Sequence, residues 1–169
     1  MNKLISKAKE GNSCEVFGII SIVIPCYNED ENISILFKEI KTAMEGVDYE
    51  LIFVDDGSTD KTYNELLKIK TTNIKIIRHK KNLGQTSAWK SGFANADGRY
   101  IVTIDSDLQN NPKDILRLVN ELQQKGYDVV SGWRVFRKDN LQKRLWSIIS
   151  NFIRKIFIDD GIHDAGCAL

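Results

Sequence analysis

Five short apolar runs, separated by segments of helical pattern, constrain this chain more than any other feature. Ile19 to Pro25, Tyr49 to Val54, Ile74 to Arg78, Tyr100 to Ile104 and Tyr127 to Ser131 each read as a buried strand. Between them the spacing predicts four helices. The first opens at an Asn28/Glu31 capping box and runs to about Met44, with Ile33, Leu36, Phe37 and Ile40 on one face. A second ends near Ile69, a third covers Gln85 to Asn95 and closes near Gly98, and a fourth spans Pro112 to Lys125. Strands alternating with helices of this length imply βαβ units, a mostly parallel sheet flanked by helices, and right-handed crossovers. In such α/β folds, ligands bind beyond the carboxyl ends of the strands. That edge collects the Pro25 to Glu29 loop, Asp55 and Asp56, the Arg78 to Gly84 loop, and Asp105 with Asp107.

Asp105 and Asp107 stand two apart where the fourth strand frays, so an extended backbone points both carboxylates the same way. Asn111 can cap the next helix, Pro112 fits its first turn, and Asp114 suits its positive end. Two carboxylates and the Gln109 amide at such a junction suit a hard divalent cation, Mg²⁺ above all. A pair of solvated turn aspartates is the plainer reading of the same residues. An EF-hand loop starting at Asp105 would need glycine and glutamate where Asn110 and Leu116 stand. A phosphatase-type aspartyl nucleophile leaves Gln109 and the Asp55-Asp56 strand end unexplained.

Composition narrows the classes further. With 169 residues, 42% apolar and 28% charged, the chain is one ordinary globular domain. A formal net charge of +1 implies no general attraction to nucleic acid. The cysteines Cys14, Cys26 and Cys167 form neither a zinc pattern nor a disulfide framework, and they suit a reducing, cytosolic setting. Residues 1–18 lack the apolar core of a signal peptide and read as an N-terminal extension before a domain over 19–169. The longest apolar run, Val16 to Pro25, is too short to span a bilayer. The chain stops at Gly166-Cys167-Ala168-Leu169 in mid-element, which leads us to expect a domain incomplete at its C-terminus.

No Walker-type phosphate loop occurs, and Cys26-Tyr27-Asn28-Glu29 replaces the glycine fingerprint of dinucleotide folds. A pyrophosphate bound here would be neutralised through a metal on Asp105 and Asp107. Asp55 or Asp56 would accept from a base N–H or a ribose hydroxyl, and Tyr27 would wall the base. One of the two aspartates serves equally well as a local turn or cap residue.

Four segments in order resemble family 2 glycosyltransferases: Ser21-Ile-Val-Ile-Pro25-Cys-Tyr27-Asn28-Glu29, Val54-Asp55-Asp56-Gly57-Ser58-Thr-Asp60, Asn82-Leu-Gly84 and Asp105-Ser-Asp107-Leu-Gln109. Within that family the chain is most similar to the polyprenyl-phosphate hexosyltransferases. The resemblance implies the GT-A fold, a GDP- or UDP-sugar donor, Mg²⁺ or Mn²⁺, and inversion at the anomeric carbon. Pro25, Tyr27, Glu29 and Asp56 would bind the nucleotide, with Asn28, Asp55 and Gly84 of the same motifs as further donor-site candidates. Asp105, Asp107 and Gln109 would hold the metal, and Asp164 would reach the sugar.

Residues 133–155 carry Arg134, Arg137, Lys138, Lys143, Arg144, Arg154 and Lys155 against the single acid Asp139. Leu141, Leu145, Ile148, Ile149, Phe152, Ile153 and Ile156 fall on one helical face, as on a membrane surface or against the sheet. The resemblance implies the first: Arg134, Lys143 and Arg144 would grip the phosphate of a polyprenyl acceptor at the cytoplasmic membrane face. Arg134 then joins Asp105 and Asp107 as the catalytic candidates. The expected partners are a nucleotide sugar and a polyprenyl phosphate, without nucleic acid, and with self-association through a missing C-terminal region. Two other readings stand beside this one: transfer to a polysaccharide or protein hydroxyl, and a non-catalytic nucleotide-binding module.

Overall fold

The computed structural model describes residues 18–132. Four strands, β1 (Ile20–Cys26), β2 (Tyr49–Asp55), β3 (Ile74–Arg78) and β4 (Tyr100–Thr103), form one sheet in the order β3-β2-β1-β4. Every neighbouring pair is parallel, with Ile20 opposite Tyr49 and Tyr100, and Leu51 opposite Ile74. The helices are α1 (Ile33–Ala43), α2 (Thr62–Lys68), α3 (Gln85–Phe93) and α4 (Asp114–Lys125). The expected α/β architecture is therefore present, and the period-two pattern explains how it packs.

Alternate residues of the central strands go to opposite faces. Ile20, Ile22, Ile24 and Cys26 of β1, with Leu51 and Phe53 of β2, meet Ile33, Leu36 and Ile40 of α1, Leu66 of α2, and Ile115 and Val119 of α4. Val23, Ile52 and Val54 point the other way, onto Ala88 and Trp89 of α3. Both faces of β1 and β2 are thus covered, which is why these strands read as nearly continuous apolar runs.

Local details depart from the expectation at three places. The Asn28/Glu31 capping box does not form: α1 begins at Ile33, and Asn28 instead takes the Thr59 amide on its Oδ1 at 2.9 Å. Asn28 adopts the left-handed conformation (φ 56°), tolerable for an asparagine, and so leaves the helix path. The fourth helix starts at Asp114 rather than Pro112, after Asn111 Oδ1 accepts from the Lys113 amide at 3.1 Å. Residues 127–131 are not a strand; they pair with neither free sheet edge among the described residues, and Val129 is 80% exposed. Apolar content alone cannot make a strand without a partner ladder.

Candidate active site

The carboxyl ends of β1, β2 and β4 surround a cleft of roughly 300 Å³. Pro25, Cys26 and Tyr27 come from the end of β1, Asp56 from the end of β2, and Asp105, Ser106 and Asp107 from the end of β4. Glu29, Asn82, Gly84, Gln85 and Ala88 complete the wall.

Hydrogen bonds between strand ends hold this rim together. Ser106 Oγ donates to the Pro25 carbonyl at 3.0 Å, and the Asp56 amide donates to the Cys26 carbonyl at 2.9 Å. Asn28 and Glu29 donate their amides to Ser58 Oγ and Thr62 Oγ1, at 3.1 and 2.7 Å, so the β1 loop is fixed by the loop after β2. Asp60 accepts from the Thr62 amide at 2.8 Å. Burial alone would raise its pKa, but bonds from Thr62 and the Asp30 amide outweigh that and hold it below the ordinary value. Gly57 makes the turn at φ 73°, and a Cβ there would lie 2.4 Å from the Lys81 carbonyl carbon. Only glycine lets these two loops approach so closely.

The paired aspartates divide their work. Asp55 is fully buried; its Oδ1 accepts from the Ser58 amide at 2.9 Å. Arg78 Nε lies 3.1 Å from Asp55 Oδ2, an ion pair too poorly aligned to count as a hydrogen bond, so this oxygen keeps unmet accepting capacity. The Arg78 guanidinium itself stacks on Tyr63, 4.2 Å from the ring centre. Asp56 faces the cleft and gathers three donors: the Leu83 and Gly84 amides at 3.0 and 2.7 Å, and His79 Nδ1 at 2.7 Å.

At the end of β4, Asp105 lines the cleft with Oδ1 accepting from Gln85 Nε2 at 2.7 Å. Asp107 is exposed, and its Oδ1 caps the Gln109 amide at 3.1 Å across a turn that puts Leu108 at φ 60°. The Gln109 side chain lines a separate groove of about 530 Å³ between α1 and the loop leading into α4, together with Lys38, Thr42, Asn110 and Lys113. Cys26 is buried, and that burial drives its thiol far above the ordinary range.

Of the expected donor-site residues, then, Pro25, Tyr27, Glu29, Asp56, Gly84, Asp105 and Asp107 share one cleft. Asn28 and Asp55 organise the loops behind it, and Gln109 stands apart. Arg134, Lys143, Arg144 and Asp164 lie outside the described residues. The sequence reading missed His79, Gln85 and Ser106. The only signal for them was their place in strand-end loops, which many neutral residues share.

Among the described residues, the cleft lining includes four carboxylates, from Glu29, Asp56, Asp105 and Asp107, and no lysine or arginine. A cation beside these carboxylates would offset their repulsion of a nucleoside diphosphate. No group of three or more histidine, cysteine or acidic side chains among the described residues forms a complete metal cage. Asp105 and Asp107 fit the smaller share that Mg²⁺ takes from protein, one or two carboxylates with phosphate and water completing the shell.

The parallel α/β sheet places this cleft at the carboxyl ends of its strands, where folds of this class bind their ligands. The chain matches the profile of glycosyl transferase family 2 over residues 21–168, and it belongs to that family. It is 38% identical over 156 residues to the dodecaprenyl-phosphate galacturonate synthase of Rhizobium johnstonii, covering 89% of this chain and 46% of that protein. It is 39% identical over 155 residues to the undecaprenyl-phosphate 4-deoxy-4-formamido-L-arabinose transferase of Photorhabdus laumondii, covering 89% of this chain and 47% of that one. The chain thus spans less than half the length of these relatives. Among solved structures, it is similar to glucosyl-3-phosphoglycerate synthase from Mycobacterium tuberculosis in complex with Mn²⁺, UDP and glucosyl-3-phosphoglycerate. The TM-score is 0.52 and the identity 28%, covering 62% of this chain and 39% of the other. The mannosyltransferase PcManGT from Pyrobaculum calidifontis shares the fold, with TM-score 0.55 and identity 20%, over 66% of this chain and 33% of its own. The fold is GT-A.

Proposed function

We propose that the protein transfers a hexose from a GDP- or UDP-sugar to a polyprenyl phosphate, with inversion at the anomeric carbon. The observation that carries this reading is the cleft in which Asp105 and Asp107, at the end of β4, stand with Glu29 and Asp56. The two relatives named for polyprenyl-phosphate sugars support the acceptor class.

Asp105 and Asp107 would hold Mg²⁺ or Mn²⁺, which when bound neutralises the leaving diphosphate. Gln85 aims the Asp105 carboxylate at the cleft, and Tyr27, 43% exposed at its rim, offers a face for the base. Asp56 keeps the Leu83 and Gly84 backbone against the donor. An acceptor phosphate oxygen attacks the anomeric carbon; that C–O bond forms as the bond to the nucleoside diphosphate breaks. The attacking oxygen is already anionic at neutral pH, so alignment matters more than a general base. We assign the phosphate grip to Arg134, Lys143 and Arg144, and a donor-sugar contact to Asp164. The basic, apolar-faced stretch from 133 to 156 suits work at the cytoplasmic face of a membrane; no helix among the described residues is long and apolar enough to cross one.

The test is transfer of radiolabelled sugar from UDP- or GDP-hexoses into organic-extractable undecaprenyl phosphate with Mn²⁺, by the protein and its Asp107→Asn variant. Metal-dependent label in the lipid phase, lost in the variant, supports the reading. Label that appears only in a water-soluble saccharide, or in neither phase with any donor, defeats it.

A further inference from the structure

His79 takes no part in the cleft lining, yet both of its ring nitrogens are engaged. Its backbone amide donates to the Asp55 carbonyl at 2.8 Å, which carries the β2–β3 ladder one residue beyond the strand. Its side chain is only 11% exposed. Nδ1 lies 2.7 Å from Asp56 Oδ1, and Nε2 lies 2.8 Å from Ser91 Oγ on α3. Facing a carboxylate that can only accept, Nδ1 carries the hydrogen; the Ser91 hydroxyl, able to donate or accept, adapts to Nε2. The imidazole is therefore a strut between the end of β2 and the last turn of α3.

The strut bears on the cleft through Asp56. That carboxylate also receives the Leu83 and Gly84 amides, so one buried group pins the 79–84 loop at both ends. Gly84, at φ 88°, starts α3, whose first residue, Gln85, holds Asp105. Asp56, Asn82, Gly84 and Gln85 all line the cleft. Without the imidazole, the buried Asp56 Oδ1 keeps the Leu83 amide alone, and residue 79 stays tied only by its backbone bond to the Asp55 carbonyl.

We propose that His79 is a positioning residue for the nucleotide donor: it fixes Asp56, and through it the 82–85 wall, and so governs donor affinity rather than turnover. This inference rests on the donor-binding reading given above. The bond exists without the donor, so donor affinity falls through the displacement of the 82–85 wall that its loss allows, by about ten-fold.

Three substitutions separate this role from simple packing. His79→Asn places an amide nitrogen as many bonds from the backbone as Nδ1, and keeps the Asp56 bond while losing Ser91. His79→Gln does the reverse, since its nitrogen matches Nε2. His79→Phe keeps the bulk and loses both. Calorimetric titration with UDP and GDP in Mn²⁺, beside melting curves and donor KM and kcat, reads the difference. We expect His79→Asn to bind near wild-type affinity, and His79→Gln and His79→Phe to bind about ten-fold or more weakly with kcat little changed. Should His79→Phe fail to fold, the comparison of His79→Gln with His79→Asn decides alone. Equal nucleotide affinity in wild type and His79→Gln would overturn the inference and leave the functional reading standing. A wild-type protein that binds neither nucleotide would overturn both.

Discussion

Gln85 at the first position of α3 donates its side-chain amide to Asp105 Oδ1 across 2.7 Å, tying the start of a helix to the end of β4. The Asp105 carboxylate is thereby aimed before any ligand arrives. Partners that orient a metal ligand in this way are commonly worth ten-fold or more in metal affinity. Gln85→Ala should leave the melting temperature nearly unchanged, because Gln85 is exposed. It should weaken Mn²⁺ binding in the presence of UDP by about ten-fold, read from the free-Mn²⁺ signal in electron paramagnetic resonance. Unchanged Mn²⁺ affinity would show that the bond orients nothing of consequence.

The Asp107 carboxylate is exposed and, among the described residues, makes only a local turn contact to the Gln109 amide. Asp107→Asn keeps an oxygen for that turn and removes the charge, so the unliganded stability should change by less than about 0.5 kcal/mol. Wild-type protein at a hundred times the dissociation constant of its nucleotide should gain about 2.7 kcal/mol. With Mn²⁺ and either UDP or GDP, that gain should appear as a melting shift and vanish in Asp107→Asn. A full shift in the variant would remove Asp107 from the metal site.

At the opposite edge of the sheet, Glu50 is nearly buried at the start of β2. Its Oε1 accepts from Ser21 Oγ at 2.5 Å and the Asp97 amide at 2.6 Å, and Oε2 pairs with Lys75 Nζ at 2.7 Å. Burial pushes its pKa up, but the bonds from Lys75, Ser21 and Asp97 win and hold it below the ordinary 4.5. A carboxylate lowered on folding stabilises the native state above its unfolded pKa. That contribution is lost as pH falls below 4.5 and through the folded value. The melting temperature of wild type should therefore drop more steeply than that of Glu50→Gln between about pH 5 and pH 3. Parallel profiles would mean that Glu50 is not a source of acid lability.

The central strands were legible because β1 and β2 are covered on both faces, which calls for nearly continuous apolar runs, with Ser21 and Glu50 buried against each other. The placing of Asp105 and Asp107 in the cleft was legible too, since α/β sheets bind their ligands at the carboxyl ends of the strands. The roles of Asn28 and His79 were not. Each is set by a bond to a residue more than twenty positions away, Thr59 and Asp56 respectively, and no local periodicity encodes such a partner. The Asn28/Glu31 box failed for the same reason: a tertiary acceptor role competed with the helix cap and won. Residues 127–131 carry strand composition, but composition does not supply a neighbouring ladder.

Gly98 gives the last prediction, and it is coupled to Glu50. The Gly98 amide donates to Ser21 Oγ at 2.8 Å, and the next residue, Arg99, donates its amide to the Ile19 carbonyl at 2.9 Å. A Cβ on Gly98 would lie 2.6 Å from both the Ser21 nitrogen and Oγ, and 2.7 Å from the Ile19 carbonyl oxygen. Two of those atoms are backbone of the β1 edge and cannot swing aside, so β4 must move away from β1 or the Ser21–Glu50 bond must break. Gly98→Ala should cost toward the upper end of roughly 1–3 kcal/mol, despite the usual gain from replacing a flexible glycine. Urea unfolding measures it. In Glu50→Gln, where the network is already weakened, the same substitution should cost less, because residues in one hydrogen-bond network do not add independently. A Gly98→Ala variant as stable as wild type would mean that β1 and β4 approach less closely than these distances require.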